Sequence, residues 1–197
     1  MNRRAFTRTL GLGALATGLA PSVRAQDLVI SKKLVVVGDP GVGKSCLLIT
    51  HATGAFPAEY VPGVFDNYTI NVTAHGRQLN VGLWDTAGQD DYDVLRPMTY
   101  PQTDLFLICF DVANRGSFEH IASKWVPELA AFDRRVPFLI VGCKLDLRES
   151  GQAVVGTSEA LLLAEKVGAA GYHECSARTP AGLPYLFGSA HRIMLLV

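Results

Sequence analysis

The chain has no CxxC pair, and no histidine stands beside a cysteine at metal-ligand spacing, so nothing marks its cysteines as metal ligands. Its four cysteines, Cys46, Cys109, Cys143 and Cys175, are widely separated, and each lies in or beside an apolar run; they read as reduced, mostly buried thiols, with a disulfide pair among them as the alternative. Positive charge is not in excess either. Lys+Arg and Asp+Glu both number 18, and Arg3, Arg4, Arg8 and Arg24 precede the first acid, Asp27. Without residues 1–25 there remain 14 basic against 18 acidic side chains, a formal charge of −4, so no basic face argues for nucleic acid as a partner. No internal repeat or low-complexity tract is present. The apolar run Leu10–Ala20 is too short to cross a bilayer as a permanent helix. The last residues, Met194-Leu195-Leu196-Val197, carry no Cys-a-a-X box and follow no polybasic stretch, so no prenyl membrane anchor is expected. At 197 residues and 49% hydrophobic, the chain can bury one core but not two ordinary ones, and a monomer is expected.

What is present is concentrated at one junction. Gly38-Asp39-Pro40-Gly41-Val42-Gly43-Lys44-Ser45 follows the apolar run Leu34–Val37 directly. The GxxxxGKS spacing lets successive backbone N–H groups, through Cys46, point inward around di- or triphosphate oxygens. Lys44 then reaches the β and γ phosphates, and the Ser45 hydroxyl ligates Mg²⁺. A helix from Lys44 to about Thr50 aims its positive end at the same anion.

Around this junction helix-period and strand-like segments alternate. That predicts an α/β fold of the P-loop NTPase kind, with a mostly parallel sheet covered by helices on both faces. Leu34–Val37, Leu105–Phe110 and Phe138–Gly142 are continuous apolar runs, as central strands require. Tyr68–Thr73 and Leu79–Trp84 alternate and flank His75-Gly76, which predicts an antiparallel hairpin at the sheet edge. With Tyr172–Cys175 this makes six strands. Ser117–Phe132 carries Phe118, Ile121, Trp125, Leu129 and Phe132 at helical spacing, with Pro127 as a kink. Ser158–Val167 reads as a second amphipathic helix. A last helix from near Gly182 buries Leu183, Leu186, Phe187, Ala190 and Met194.

Two further motifs follow in the order a nucleotide site needs. Asp85-Thr86-Ala87-Gly88-Gln89 comes after a strand. There Asp85 can hold Mg²⁺ directly or through water, Gly88 can swing its N–H to a γ-phosphate, and Gln89 can orient the attacking water. Lys144-Leu145-Asp146 ends another strand. A carboxylate there matches the paired N1–H and N2–H₂ donors of guanine, which adenine lacks, so GTP and GDP are favoured over ATP. Lys144 can lay its stem over the purine, and Ser176-Ala177 can close the pocket through backbone N–H groups.

These residues resemble the Ras superfamily of small GTPases, and within it the Rho family, most like Rac-type members. The resemblance covers about Lys32 to Met194. Its subfamily marks are Phe56–Pro62, Val64–Tyr68, Trp84–Asp93, Leu95-Arg96-Pro97, Tyr100–Asp104 and Lys124–Glu128. It implies a guanine-nucleotide switch over residues 32–197 that binds GTP or GDP with Mg²⁺ and hydrolyses GTP slowly to regulate effectors. Catalysis is carried over to Gln89, Lys44 and Gly88, with Phe56 packed on guanine and Tyr60 over the phosphates. Effector, exchange-factor and GTPase-activating proteins would read Tyr60–Tyr68 and Gly88–Tyr100.

Several positions depart from that family. Gly63 stands where the family has a threonine that ligates Mg²⁺, which removes a hydroxyl contact of about 1–3 kcal/mol from the triphosphate state. Pro40 replaces a loop glycine, fixes φ near about −65° and crowds the place of a partner's arginine finger. Cys143 stands where Rho members often carry threonine. Leu147–Thr157 is too short for the family's extra helix. The alternative function is therefore a degenerate, nucleotide-locked module without effective hydrolysis. Residues 1–26, with Arg3-Arg4, the apolar run and Val23-Arg24-Ala25, resemble a twin-arginine export signal. A mitochondrial transit peptide or an unstructured leader are the alternatives. Dependence on GTP points to the cytoplasm or the cytoplasmic face of a membrane, and the leader to the periplasm.

Overall fold

The computed structural model describes residues 29–58 and 67–197. The leader of residues 1–26 and the predicted site residues Tyr60 and Gly63 lie outside them. Six strands form one sheet in the order β2-β3-β1-β4-β5-β6. They are β1 (Val29–Gly38), β2 (Asn67–Ala74), β3 (Arg77–Trp84), β4 (Leu105–Asp111), β5 (Phe138–Cys143) and β6 (Gly171–Glu174). The β2–β3 pair is antiparallel and all other pairs are parallel. This is the mostly parallel α/β sheet with one antiparallel edge strand that the apolar runs predict. The hairpin turns through His75-Gly76, both at positive φ, as a two-residue type I′ turn requires.

Strand β1 runs further than the predicted Leu34–Val37. Two lysines interrupt the apolar run, yet the pairing continues because their cationic heads leave the sheet. Lys33 donates to the Thr99 and Pro101 carbonyls at 2.6 and 2.9 Å and lies over the Trp84 ring, while Lys32 reaches Asp104 at 2.8 Å.

Alternation along β1 sends Leu34 and Val36 to one face and Val35 and Val37 to the other. On the first face they meet α1 (Lys44–Thr53) and α6 (Leu183–Met194), through Leu47, Leu48, Leu186, Phe187 and Met194. On the second they meet Phe118, Ile121, Trp125, Leu129 and, from α5 (Thr157–Lys166), Ala160 and Ala164. Burial of side chains of this size is worth about 1.5–3 kcal/mol each, so both layers hold the sheet rigidly behind the strand ends.

The predicted helix over Ser117–Phe132 is three pieces: α2 (Arg115–His120), a π turn (Ile121–Trp125) and α3 (Val126–Phe132). The Val126 N–H donates to the Ile121 carbonyl five residues back. Pro127 explains the offset, because it has no N–H to continue the i→i−4 ladder. A single-turn helix, α4 (Asp146–Glu149), joins α5 through residues 150–156. Among the described residues no helix is long and apolar enough to cross a membrane.

Candidate functional site

The carboxyl ends of β1, β3, β5 and β6 open on one crevice beside the point where the strand order reverses, the place where an open α/β sheet receives ligands. Two adjoining cavities of about 230 and 210 Å³ lie there. The first is lined by the phosphate loop, including Gly41, Gly43, Lys44 and Ser45, and by Gly88 and Gln89. The second is lined by Phe56, Lys144, Asp146, Ser176 and Ala177. Gly43, Cys46 and Lys144 belong to both, so the two are halves of one site. Together they fall within the range of about 300–1,000 Å³ of small-molecule sites.

In the first half, Lys44 is only 6% exposed and its ammonium donates to the Gly38 and Asp39 carbonyls, each at 2.8 Å. Burial pulls its pKa below the usual lysine value, and the Asp85 carboxylate opposes that pull. A buried cation held mainly by carbonyl dipoles is a place for an anion. The Ser45 hydroxyl donates to the Asp85 carboxylate. Among the described residues no group of three or more His, Cys, Asp or Glu side chains could hold a metal ion. Two hard oxygen donors beside a phosphate cradle nevertheless suit Mg²⁺, which takes few protein ligands and completes its shell with water and phosphate.

Gly88 packs against the phosphate loop so closely that a Cβ there would collide with the Gly38 carbonyl oxygen and lie 2.7 Å from the Asp39 carbonyl carbon and the Pro40 nitrogen. Only glycine fits. Gln89 follows at the mouth of the cavity, its side-chain oxygen buried without a hydrogen-bond partner. In the second half the Ser176 hydroxyl donates to Asp146 at 2.5 Å, and Lys144 pairs with Asp111 at 2.6 Å. Phe56 is 48% exposed on the rim.

Not every predicted residue faces the cavity. The Val42 side chain belongs to the hydrophobic core, so only its backbone can serve a ligand. The Asp39 carboxylate is turned toward the helical layer, where Trp125 Nε1 donates to one oxygen at 2.8 Å and His120 Nδ1 stands 2.6 Å from the other. Both partners come from the region of the π turn, which moors the phosphate loop to the helical layer.

Arg96, which the sequence marks only as a family match within Gly88–Tyr100, is fully buried. It donates to the Ala87 carbonyl at 2.8 Å, to both Glu128 oxygens at 2.9 and 2.8 Å, and to Asp93, and it lies over the Trp125 ring. Burial works against its charge, but the Glu128 and Asp93 hydrogen bonds outweigh it and hold its pKa above the ordinary value. This cage fixes the residue before Gly88. A lone arginine between Leu95 and Pro97 reads as a surface charge, and no local pattern marks it as buried. The Thr86 hydroxyl donates to the Val36 carbonyl at 2.6 Å and ties the Asp85–Gln89 loop to β1.

Residues 33–195 match the Ras family. The chain is 45% identical over 177 residues to the GTP-binding protein RHO1 of Saccharomyces cerevisiae, covering 85% of each. It is 44% identical over 178 residues to the GTP-binding protein RHO1 of Candida albicans, covering 85% of this chain and 90% of that one.

Proposed function

This chain belongs to the Ras family, and within it to the Rho-type small GTPases; from that premise we propose that the double cavity at the strand ends is its guanine-nucleotide site, divided into a phosphate half and a base half. The protein is a GTP-binding switch that hydrolyses GTP and regulates effector proteins. Its Rho-type kinship favours the working switch over the nucleotide-locked module.

The observation that carries the assignment is the convergence of Lys44, Ser45, Asp85 and Gly88 on one cleft that continues into Asp146 and Ser176. Backbone N–H groups from Gly41 to Cys46 cradle the α and β phosphates, and Lys44 leaves its carbonyl partners to neutralise the β and γ phosphates. Ser45, and Asp85 directly or through water, would hold Mg²⁺, which would neutralise part of the polyphosphate's negative charge. Gly88 offers its N–H to the γ-phosphate, and the Gln89 amide orients the attacking water in line with the bond to be broken. Asp146 accepts from guanine N1–H and N2–H₂, Lys144 covers one ring face, and Ser176 and Ala177 close the edge.

Turnover is slow in this reading, because Pro40 lacks an N–H and its ring lines the phosphate half where a partner's arginine would enter. Effectors and regulators would read Gly88–Tyr100, where Val94, Leu95 and Met98 expose their apolar side chains, together with the Tyr60–Tyr68 segment. The test is to identify the nucleotide that co-purifies with the protein and to time γ-phosphate release with and without Mg²⁺. Bound GDP with Mg²⁺-dependent release supports the proposal, and intact GTP persisting for many hours contradicts it. The working compartment we propose is the cytoplasm, where GTP is available; recovery of the full chain only in a periplasmic fraction would contradict that.

A further inference from the structure

Cys143 closes β5 and Cys175 follows β6. These strands pair from Leu139 with Gly171 to Gly142 with Glu174, so one further step sets Cys143 beside Cys175. The pairing continues there, since the Cys175 N–H donates to the Gly142 carbonyl at 2.9 Å and the Leu145 N–H to the Cys175 carbonyl at 3.0 Å. Neighbours on adjacent strands stand about 4.8 Å apart, inside the Cα separation of about 4.4–6.8 Å that a disulfide bridges. Both thiols are reduced in this structure.

The cluster is electronically uneven. The Cys143 sulfur hydrogen-bonds to the thiols of Cys109 and Cys175, which with nearby Lys44 holds Cys143 well below the ordinary thiol range. Burial pushes Cys109 up, and Cys175 is pushed up by its hydrogen bond to Cys143 and by burial. Cys143 is 4% exposed where Cys175 is 0% exposed, so Cys143 is the sulfur that an oxidant meets first and Cys175 the one that resolves. Nothing in the hydrolysis of GTP uses either sulfur, yet both line the base half of the cavity with Asp146 and Ser176. A Cβ placed on Gly43 would lie 3.6 Å from the Cys143 Cβ, so this thiol also sits behind the phosphate loop.

We propose that Cys143 and Cys175 form a peroxide-sensitive dithiol at the floor of the base cavity, closing to a disulfide when nucleotide is absent and weakening guanine-nucleotide binding once closed. Cys143 gives up its proton and its sulfur attacks hydrogen peroxide; the S–O bond forms, the O–O bond breaks, and the departing hydroxide takes up that proton and leaves as water. Cys175 then attacks the sulfenic sulfur. The S–S bond forms, the S–O bond breaks, and the hydroxyl leaves with the Cys175 proton as a second water, so two thiols are oxidised and one peroxide is reduced. Each cysteine precedes a base-reading segment, Lys144–Asp146 on one side and Ser176-Ala177 on the other. Tying the two sulfurs together fixes those segments to each other, with Ser176 held on Asp146 at 2.5 Å, and removes the freedom with which they would part to admit a base. A nucleotide bound in the base half would cover the cavity that both cysteines line.

The effect of nucleotide rests on the guanine-site reading above; disulfide formation does not. The experiment treats the reduced full chain with hydrogen peroxide, nucleotide-free and loaded with GDP and Mg²⁺, and maps its thiols by peptide mass without reductant. The expected result is a Cys143–Cys175 linked peptide lighter by two hydrogens, reversed by dithiothreitol and formed at least about tenfold more slowly with GDP. GDP affinity should fall about ten- to hundredfold on oxidation, the loss of a charge-assisted buried contact, and return on reduction. Cys143→Thr and Cys175→Ser should each abolish the linked peptide, and Cys46→Ser should retain it. Four free thiols after peroxide, a bond from Cys143 to Cys109 or Cys46, or a closed disulfide with unchanged GDP affinity would each overturn the proposal. If the reduced protein fails to bind GDP, the pocket assignment fails, while the linked peptide in nucleotide-free protein still decides whether the dithiol exists.

Discussion

Replacing Gly88 with alanine adds one methyl group where the two working loops meet. Its carbon would overlap the Gly38 carbonyl oxygen and crowd the Asp39 carbonyl carbon and the Pro40 nitrogen at 2.7 Å. All three are backbone atoms, so no side chain can rotate out of the way, and the pyrrolidine ring of Pro40 keeps the phosphate loop from turning aside. One loop must therefore retreat. Overpacking of this kind costs about 1–3 kcal/mol, which converts to about 5–150-fold in a rate that requires the loops to meet. The assay is single-turnover γ-phosphate release at saturating GTP and Mg²⁺, with thermal unfolding alongside. For a chain of this size each kcal/mol moves Tm by about 2–4 °C, so a fall of about 2–12 °C is expected. Gly188→Ala is the control: that position lies within α6 with no atom within 4 Å of the added carbon, and stability there should rise or stay level. Hydrolysis within twofold of the parent and an unchanged Tm in Gly88→Ala would refute the packing argument.

Glu128→Ala strips the fully buried Arg96 of its bidentate partner and should cost about 3–5 kcal/mol, seen as a fall in Tm of about 6–20 °C; Glu128→Gln, which keeps an acceptor, should lose less. Acid should destabilise the fold through His51, which stacks on Phe187 at 3.4 Å and whose pKa is lowered from 6.5 to about 4 by burial and by His191. Because the folded pKa is the lower one, that stability is fully present above pH 6.5 and is lost as pH falls toward 4. After discounting for partial exposure it amounts to about 1–3 kcal/mol, and His51→Phe should flatten the profile in denaturant titrations across that window. Ser45→Ala removes one of two hard oxygen donors, so GDP release from the variant should be fast with Mg²⁺ present and nearly insensitive to its chelation, whereas the parent's release accelerates when Mg²⁺ is removed.

How much of this was legible in the sequence depended on distance along the chain. Leu34–Val37, Leu105–Phe110 and Phe138–Gly142 announce buried strands by themselves, and the phosphate loop is a local motif whose eight residues need no tertiary partner to be recognised. The π turn was not legible, because apolar spacing at Phe118, Ile121, Trp125, Leu129 and Phe132 is compatible with an unbroken α-helix; only Pro127 hinted at an irregularity. The mooring of Asp39 to Trp125 and His120 spans more than 80 positions, and that of Arg96 to Glu128 spans 32. Side-chain pairing at such separations leaves no periodic trace. The dithiol was hidden for the same reason: Cys143 and Cys175 become neighbours only through the β5–β6 register.

The choice of nucleotide rests on one carboxylate reading one base. Asparagine at position 146 keeps an acceptor for N1–H but presents an amide where guanine presents its own amino group, and that amide instead suits the carbonyl that xanthine carries at C2. Equilibrium binding of guanosine and xanthosine diphosphates to the parent and to Asp146→Asn tests it most directly. The parent should hold the guanosine nucleotide and reject the xanthosine one, and the variant should reverse that order, with each change about tenfold or more. A variant that binds guanosine diphosphate as tightly as its parent would contradict the assignment.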